Sequence, residues 1–288
     1  MTIPESKKEI LKNIRLVAMD LDRTLLTEHG LTQGSKDTLE EASRRGIQVV
    51  IATGRPLVAL PKSLWTINGL RYVICSNGAQ IVDLTDGSLL YSDYIDPDVS
   101  RWLREHLLKL GYPIEVFSEG GAYISAERYQ YFVEKSDTPE GSQYVLTTRK
   151  PVDDIWEFWE QHIDTIENIN IIITDPGKKQ QVWDELEALQ SRCTVTSSTS
   201  YNIEIGGAST SKANGLRVLS DITGVPLSET MSFGDSPNDC AMLEESGFGV
   251  AVDNALPVVK ESADYVTLSS EEEGVAYAIR KLLFGEQR

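Results

Sequence analysis

The chain has 288 residues, with 27 Lys and Arg against 44 Asp and Glu, a formal net charge of −17 at pH 7. Nucleic-acid backbones and anionic membrane surfaces are both bound by clustered Lys and Arg, so this balance argues against either as a partner. At 41% hydrophobic and 25% charged residues the composition is that of a globular protein, and the length lies near the roughly 250–300 residues at which one core splits into two.

No apolar run reaches the ~18 residues of a membrane span, and the short run Leu16–Met19 is too brief for the apolar centre of a signal peptide. Cys75, Cys193 and Cys240 are widely spaced and odd in number, which is read as reduced thiols in a cytoplasmic protein. His29, His106 and His162 offer no zinc spacing, so any metal is expected on oxygen ligands.

In chain order, 14–19 is an apolar run suited to a buried strand, 35–45 is helical and stops at Gly46, 47–52 is a second strand, 56–66 a second helix and 72–75 a third strand. Strands alternating with helices predict βαβ units on a parallel sheet. Asp86-Gly87 between alternating apolar positions predicts a hairpin over 81–92. Helices follow at 97–110, 152–163 and 178–190, with strands at 169–174, 194–197 and 201–205 between and after them. Then the βαβ rhythm returns: helix 211–222, strand 230–234, helix 237–245, strand 248–252, and a helix, a strand and a helix to Leu283. The expected fold is therefore α/β, a doubly wound parallel sheet built from 1–83 and 211–288, with an α+β module inserted over 84–210.

Four short motifs fall at strand ends or at a helix start, where doubly wound sheets bind ligands. Asp20-Leu21-Asp22-Arg23-Thr24-Leu25 follows the first strand. Residues two apart in an extended segment point the same way, so Asp20 and Asp22 share a direction, and two ionised carboxylates this close call for a cation. One can act as nucleophile and the other as general acid and base; alone, the pair reads equally as a solvated turn. Thr53-Gly54-Arg55 offers a hydroxyl and close backbone approach to a phosphate, or an ordinary helix cap. Lys212, at a helix start, would neutralise phosphate charge if it faces the crevice, and is otherwise a surface lysine. Gly234-Asp235-Ser236-Pro237-Asn238-Asp239 supplies two carboxylates and an amide, a donor set suited to Mg²⁺, or an N-cap with a first-turn acid.

Taken together, the four motifs resemble those of the haloacid dehalogenase (HAD) superfamily of phosphatases, in its Cof-like branch with a type IIB cap. The first motif corresponds to Asp20 through Leu26, the second to Thr53-Gly54-Arg55, the third to Lys212 and the fourth to Asp235, Asn238 and Asp239. Ser76-Asn77-Gly78-Ala79 resembles the stretch that precedes the cap. The resemblance implies a Rossmann-like, HAD-like core with 84–210 as a substrate-specificity cap. It also implies a Mg²⁺-dependent phosphatase of small phosphomonoesters, such as sugar phosphates. Asp20 would form an aspartyl-phosphate and Asp22 would act as acid and base. Asp20, the Asp22 carbonyl and Asp235 would hold Mg²⁺; Thr53, Gly54, Lys212 and Asn238 would hold the phosphoryl oxygens. Asp239 would orient Lys212 or a metal-bound water. A phosphoryl transferase or phosphomutase of the same superfamily is the alternative, and a receiver-like phospho-acceptor a more distant one.

One departure stands out: the family most often has Gly where this chain has Arg23, which would be costly if the position needs a positive φ. In the inserted module, Glu204 is read as a sugar-hydroxyl ligand or a surface residue, and Trp156, Phe158 and Trp159 as packing; Arg128 and Tyr131 are candidates to reach the leaving group. Residues 84–210 hold 22 acids against 10 Lys and Arg, so the module is expected to repel polyanions and favour small monophosphates.

Overall fold

The computed structural model describes residues 5–135, 141–189 and 191–286. Gln190, the last residue of the helix predicted over 178–190, lies outside them, as do 1–4 and 287–288 at the edges of the predicted core segments. Among the described residues no helix is long and apolar enough to cross a membrane.

In chain order the first third holds α1 (Glu5–Leu11), β1 (Leu16–Met19), α2 (Gln33–Arg44), β2 (Gln48–Ala52), β3 (Leu70–Cys75), β4 (Gln80–Asp83) and β5 (Ser88–Ser92). Next come α3 (Pro97–Leu110), β6 (Ile114–Ser118), β7 (Gly121–Ser125), α4 (Ala126–Glu134), α5 (Gly141–Thr148), β8 (Lys150–Val152) and α6 (Ile155–Gln161). β9 (Ile166–Ile172), α7 (Pro176–Glu187), β10 (Thr194–Thr196) and β11 (Asn202–Gly206) follow. The last part is α8 (Lys212–Thr223), β12 (Thr230–Gly234), α9 (Cys240–Glu245), β13 (Phe248–Ala251), α10 (Pro257–Glu261), β14 (Tyr265–Val266) and α11 (Gly274–Leu282).

Local chemistry explains where prediction and structure agree. α3 runs over the predicted span because the Asp96 carboxylate accepts from the N–H groups of Asp98 and Val99, Pro97 opens the helix, and Gly111 at φ +69° ends it. The helix predicted over 56–66 is instead two 3₁₀ turns, Leu57–Ala59 and Lys62–Thr66, since Pro61 in the middle has no N–H and excludes an α-helical residue before it. Residues 237–245 likewise begin as a 3₁₀ turn, Pro237–Asp239, before α9. The hairpin of β6 and β7 was not foreseen: its turn holds Glu119 at φ +52° followed by Gly120 at φ +72°, and glutamate carries no signal for a left-handed position.

The chain forms two compact units, one of Met1–Thr53, Pro61–Tyr91 and Lys212–Arg288, the other of Gly54–Leu60 and Ser92–Ser211. The first unit contains an eight-stranded sheet in the order β14-β13-β12-β1-β2-β3-β4-β5. Pairing is parallel from β14 through β3, with β4 antiparallel to β3. β5 belongs to this sheet, and the first unit includes the residues up to Tyr91. From β1 the chain continues to β2 and β3 on one side, while β12 to β14 are added on the other, which makes β1 the topological switch point. β1 is wholly apolar and buried, Leu16, Val17, Ala18 and Met19 each at 0% exposure, as expected of a strand covered on both faces.

The second unit contains a six-stranded sheet in the order β10-β11-β9-β6-β7-β8. One face carries Ile114, Val116, Ile169, Ile171, Ile203 and Ile205, which pack with Leu103, Leu107, Trp159, Val182 and Leu186 of α3, α6 and α7. The alternate residues Glu115, Asn168, Asn170, Asn202 and Glu204 are polar yet buried, the period of two separating an apolar face from a hydrogen-bonded one. Trp159 is fully buried and its Nε1 donates to Ser100 Oγ at 2.8 Å, so the tryptophan–phenylalanine cluster is core packing.

Leu103→Ala should destabilise the second unit by about 2–5 kcal/mol, the cost of a buried Leu deletion with its residual cavity. Urea unfolding followed by tryptophan fluorescence measures this, because Trp102, Trp156, Trp159 and Trp183, four of the five tryptophans, belong to that unit. An unchanged midpoint would contradict the packing described.

Candidate active site

Three strand ends and one helix start of the first unit meet around the switch point. β1 delivers Asp20, whose N–H donates to the Phe233 carbonyl at 3.0 Å and so continues the β1–β12 pairing by one residue. β2 delivers Thr53, bound through its N–H to the Ile74 carbonyl at 2.8 Å, and the Thr53 carbonyl accepts from the Asn77 N–H at 3.0 Å. β12 delivers Gly234 and Asp235, and α8 begins at Lys212.

Lys212 is 1% exposed, the opposite of a surface lysine. Its Nζ donates to Asp20 Oδ1 at 2.6 Å and to Asp239 Oδ1 at 2.7 Å. Asp239 Oδ2 accepts from the N–H groups of Asp235 and Ser236, each at 3.0 Å, so both its oxygens are engaged. This needs Gly234: a Cβ there would lie 2.3 Å from Asp239 Cβ. Asp235 receives a hydrogen bond from Thr24 Oγ1 on Oδ1 and from Ser236 Oγ on Oδ2, both at 3.2 Å. Asn238 Nδ2 donates to Asn77 Oδ1 at 3.0 Å, and Asn238 Oδ1 is buried with no hydrogen-bond partner among the described residues.

Asp20, Asp235 and Asp239 bring carboxylate oxygens within 4.8 Å of one another. Burial pushes the Asp20 carboxyl well above its usual range; Lys212 pulls it back, while Asp239, Asp22 and Asp235 push it further up. Asp235 is raised by burial and by Asp239, against the pull of Arg23 and Lys212. Burial pulls Lys212 down, but Asp20 and Asp239 together more than offset this and raise it. The pocket thus holds three carboxylates against one buried ammonium. An all-oxygen donor set with surplus negative charge fits a hard divalent cation and suits neither thiophilic nor imidazole-preferring metals.

Asp22 lies exposed on the turn after β1, bridged to Leu26. Arg23 beside it has φ +61°, so the position the sequence marked as a departure does adopt the left-handed backbone that favours glycine. Gly54, next to Thr53 in the chain, belongs to the second unit. Sequence reasoning assigned no role to Thr24, Asn77 or Ser236. Their common signal is position, each standing within five residues of the end of β1, β3 or β12.

In the second unit Glu204 is 7% exposed, not a surface residue; it accepts from Asn202 Nδ2 at 2.7 Å and from Ser198 Oγ. Arg128 and Tyr131 line one cleft of about 630 Å³ with Tyr112 and Trp156.

The sequence pattern of the haloacid dehalogenase-like hydrolases matches residues 17–279. The chain is 32% identical over 297 residues to the Bacillus subtilis (strain 168) protein Phosphatase YwpJ, covering 94% of this chain and 100% of that one. It is 30% identical over 300 residues to 5-amino-6-(5-phospho-D-ribitylamino)uracil phosphatase YwtE of the same organism, covering 95% and 99%. Among solved structures, a haloacid dehalogenase-like hydrolase from B. subtilis superposes with a TM-score of 0.81 at 30% identity, covering 94% of this chain and 100% of that one.

Lys212→Met removes the resident cation and leaves Asp20 and Asp239 buried without it, a change expected to cost about 3–5 kcal/mol. Without the ammonium the Asp20 carboxyl, already raised by burial, loses the group that pulls it down, so the folded state binds more protons than the unfolded one and stability falls as pH rises. The deficit relative to the native chain should therefore be larger at pH 8 than at pH 5, as read from thermal unfolding at both; a deficit independent of pH would refute the pairing.

Proposed function

The chain belongs to the haloacid dehalogenase-like hydrolase family and is a phosphatase acting on small phosphorylated substrates, and we propose that it works through an aspartyl-phosphate on Asp20 with Mg²⁺ as cofactor. The observation that carries this reading is the Lys212 ammonium, held at 2.6 Å from Asp20 in a pocket of three carboxylates. Lys212 pulls against the protonation that burial favours at Asp20, the direction a carboxylate nucleophile requires.

In the proposed first step an Asp20 carboxylate oxygen attacks phosphorus in line, the P–O bond to the leaving group breaks, and Asp22 gives its proton to the departing alkoxide. In the second, Asp22 takes a proton from the water that attacks the acyl phosphate, releasing phosphate and restoring Asp20. Exposure of Asp22 on its turn is consistent with proton exchange with substrate and water. Thr53, the Gly54 N–H, Lys212 and the Asn238 amide are assigned to the phosphoryl oxygens, a preorganised set of donors. Asp20, Asp235 and the Asp22 carbonyl are assigned to the cation, which when bound supplies charge neutralisation among carboxylates and phosphate. Asp239, saturated by Lys212 and two N–H groups, is assigned to orienting Lys212.

We assign substrate selection to the second unit. The substrate class we infer is a phosphomonoester of a small sugar or polyol; the name of the relative YwtE, a phosphatase of a phosphoribityl compound, supports this class, and so does the excess of acids in 84–210, which disfavours polyanions. The motifs and the absence of disulfides among Cys75, Cys193 and Cys240 fit a cytoplasmic enzyme of metabolites.

A screen of phosphorylated metabolites with Mg²⁺, scored by kcat/KM for phosphate release, tests the reading. Asp20→Asn should lose at least ~10³-fold in kcat and Asp22→Asn about 10²–10⁴-fold, chelation of divalent cations should abolish turnover, and hydroxylamine should convert the acyl phosphate to a hydroxamate at Asp20, with release of phosphate, in the native chain but not in Asp20→Asn. Full activity of Asp20→Asn would reject the mechanism. Isomerisation of a sugar phosphate without phosphate release would replace it with a mutase.

A further inference from the structure

Arg23 combines three features that its neighbours do not share. It holds φ +61°, a conformation uncommon for a residue with a Cβ. Its carbonyl accepts from Asn254 Nδ2 at 2.8 Å, and Asn254 Oδ1 in turn accepts from the Ser270 N–H at 2.8 Å, so the strained turn is anchored to the segment after β13. Its Nη1 lies 3.8 Å from Asp235 Oδ2, with the Arg23 side chain 64% exposed and the Asp235 side chain 2% exposed.

An unusual backbone persists where the surroundings over-determine it, and such positions concentrate at functional sites. Here the left-handed turn brings a solvent-facing guanidinium to the one buried carboxylate of the cluster that Lys212 does not touch directly. Asp20 and Asp239 share the Lys212 ammonium; among the described residues the Asp235 carboxylate has the Thr24 and Ser236 hydroxyls and this long ion pair.

We propose that Arg23 is a positioning residue acting through Asp235: a tethered cation that holds the Asp235 carboxylate while no divalent cation is bound and competes with that cation for it. The proposal rests on the assignment of Asp235 as a cation ligand. A mobile, exposed monovalent group can be displaced by a divalent ion, but its charge stays within a few ångströms and opposes binding. Arg23 therefore lowers the affinity of the site for Mg²⁺ and stabilises it when empty. A glycine at this position would lack this competition.

Isothermal titration of Mg²⁺ into the metal-stripped full chain, without substrate, tests this. R23Q keeps a side chain on the left-handed backbone and removes the charge; R23G removes both; R23K keeps the charge. R23Q and R23G should bind Mg²⁺ about two- to fivefold more tightly than the native chain, the range expected of an exposed pair, while R23K should stay near native. The gap should narrow in 0.5 M salt, where the Debye length falls below about 5 Å. Should R23G fold poorly, R23Q and R23K still decide. Native-like or weaker binding by R23Q overturns the role of Arg23 alone, and so does tightening confined to R23G, which would make the effect one of backbone strain. Absence of Mg²⁺ binding in the native chain and every variant overturns the cation assignment at Asp235 and this proposal together.

Discussion

The first unit is organised around one buried ammonium. Lys212, 1% exposed at the start of α8, would be prohibitively costly in an apolar interior without compensation. Asp20 from the end of β1 and Asp239 from the turn after β12 supply it, at 2.6 and 2.7 Å. Its position in the first turn of a helix adds a small dipole penalty, a further reason for paired carboxylates there. Much of the local design follows from satisfying this charge. Gly234 has no side chain because Asp239 packs where a Cβ would be, and the N–H groups of Asp235 and Ser236 point at the second oxygen of Asp239.

Neutralisation stops short of completion. Three carboxylates surround one ammonium, and Asp20 and Asp235 are both held above their ordinary range by burial. In a pocket designed only for stability, the third acid would be an apolar residue or would bring its own lysine. The remaining negative charge is the basis for expecting a divalent cation, and for the partial relief that Thr24, Ser236 and Arg23 give Asp235. Such unrelieved charge destabilises the fold while favouring a divalent cation at the site, the usual opposition between stability and activity.

The second unit follows a different logic. An apolar sheet face is covered by α3, α6 and α7, and the opposite set of side chains forms buried polar contacts, such as Arg149 to Glu115 at 2.8 Å and Asn202 to Asn170 at 3.1 Å. Strands β9 and β11 were legible because isoleucines recur there. β6 and β7 were not, since their connecting turn uses Glu119 where Gly or Asn would have announced it. The run 56–66 differs from the expected helix because Pro61 divides it into two 3₁₀ turns. The sequence does not separate a ligand from a surface role for Glu204, because burial of a lone acid depends on partners, Asn202 and Ser198, whose arrangement only the folded sheet provides.

By itself the sequence determined the βαβ rhythm, the placement of Asp20, Thr53 and Asp235 just beyond strands, and the oxygen-only character of any metal site. These are consequences of local periodicity and of which residue types are present. Tertiary structure decided which acids share a cation, that Lys212 is buried, and that Asp239 is saturated by it. It also decided that Arg23 takes a left-handed backbone and reaches Asp235. Those outcomes depend on residues well separated in the chain, such as Lys212 with Asp239 (27 positions apart), Asp20 with Lys212, and Thr24 with Asp235 (211 apart). The physical reason is that burial and pairing of charge are properties of three-dimensional surroundings, which one-dimensional spacing does not encode.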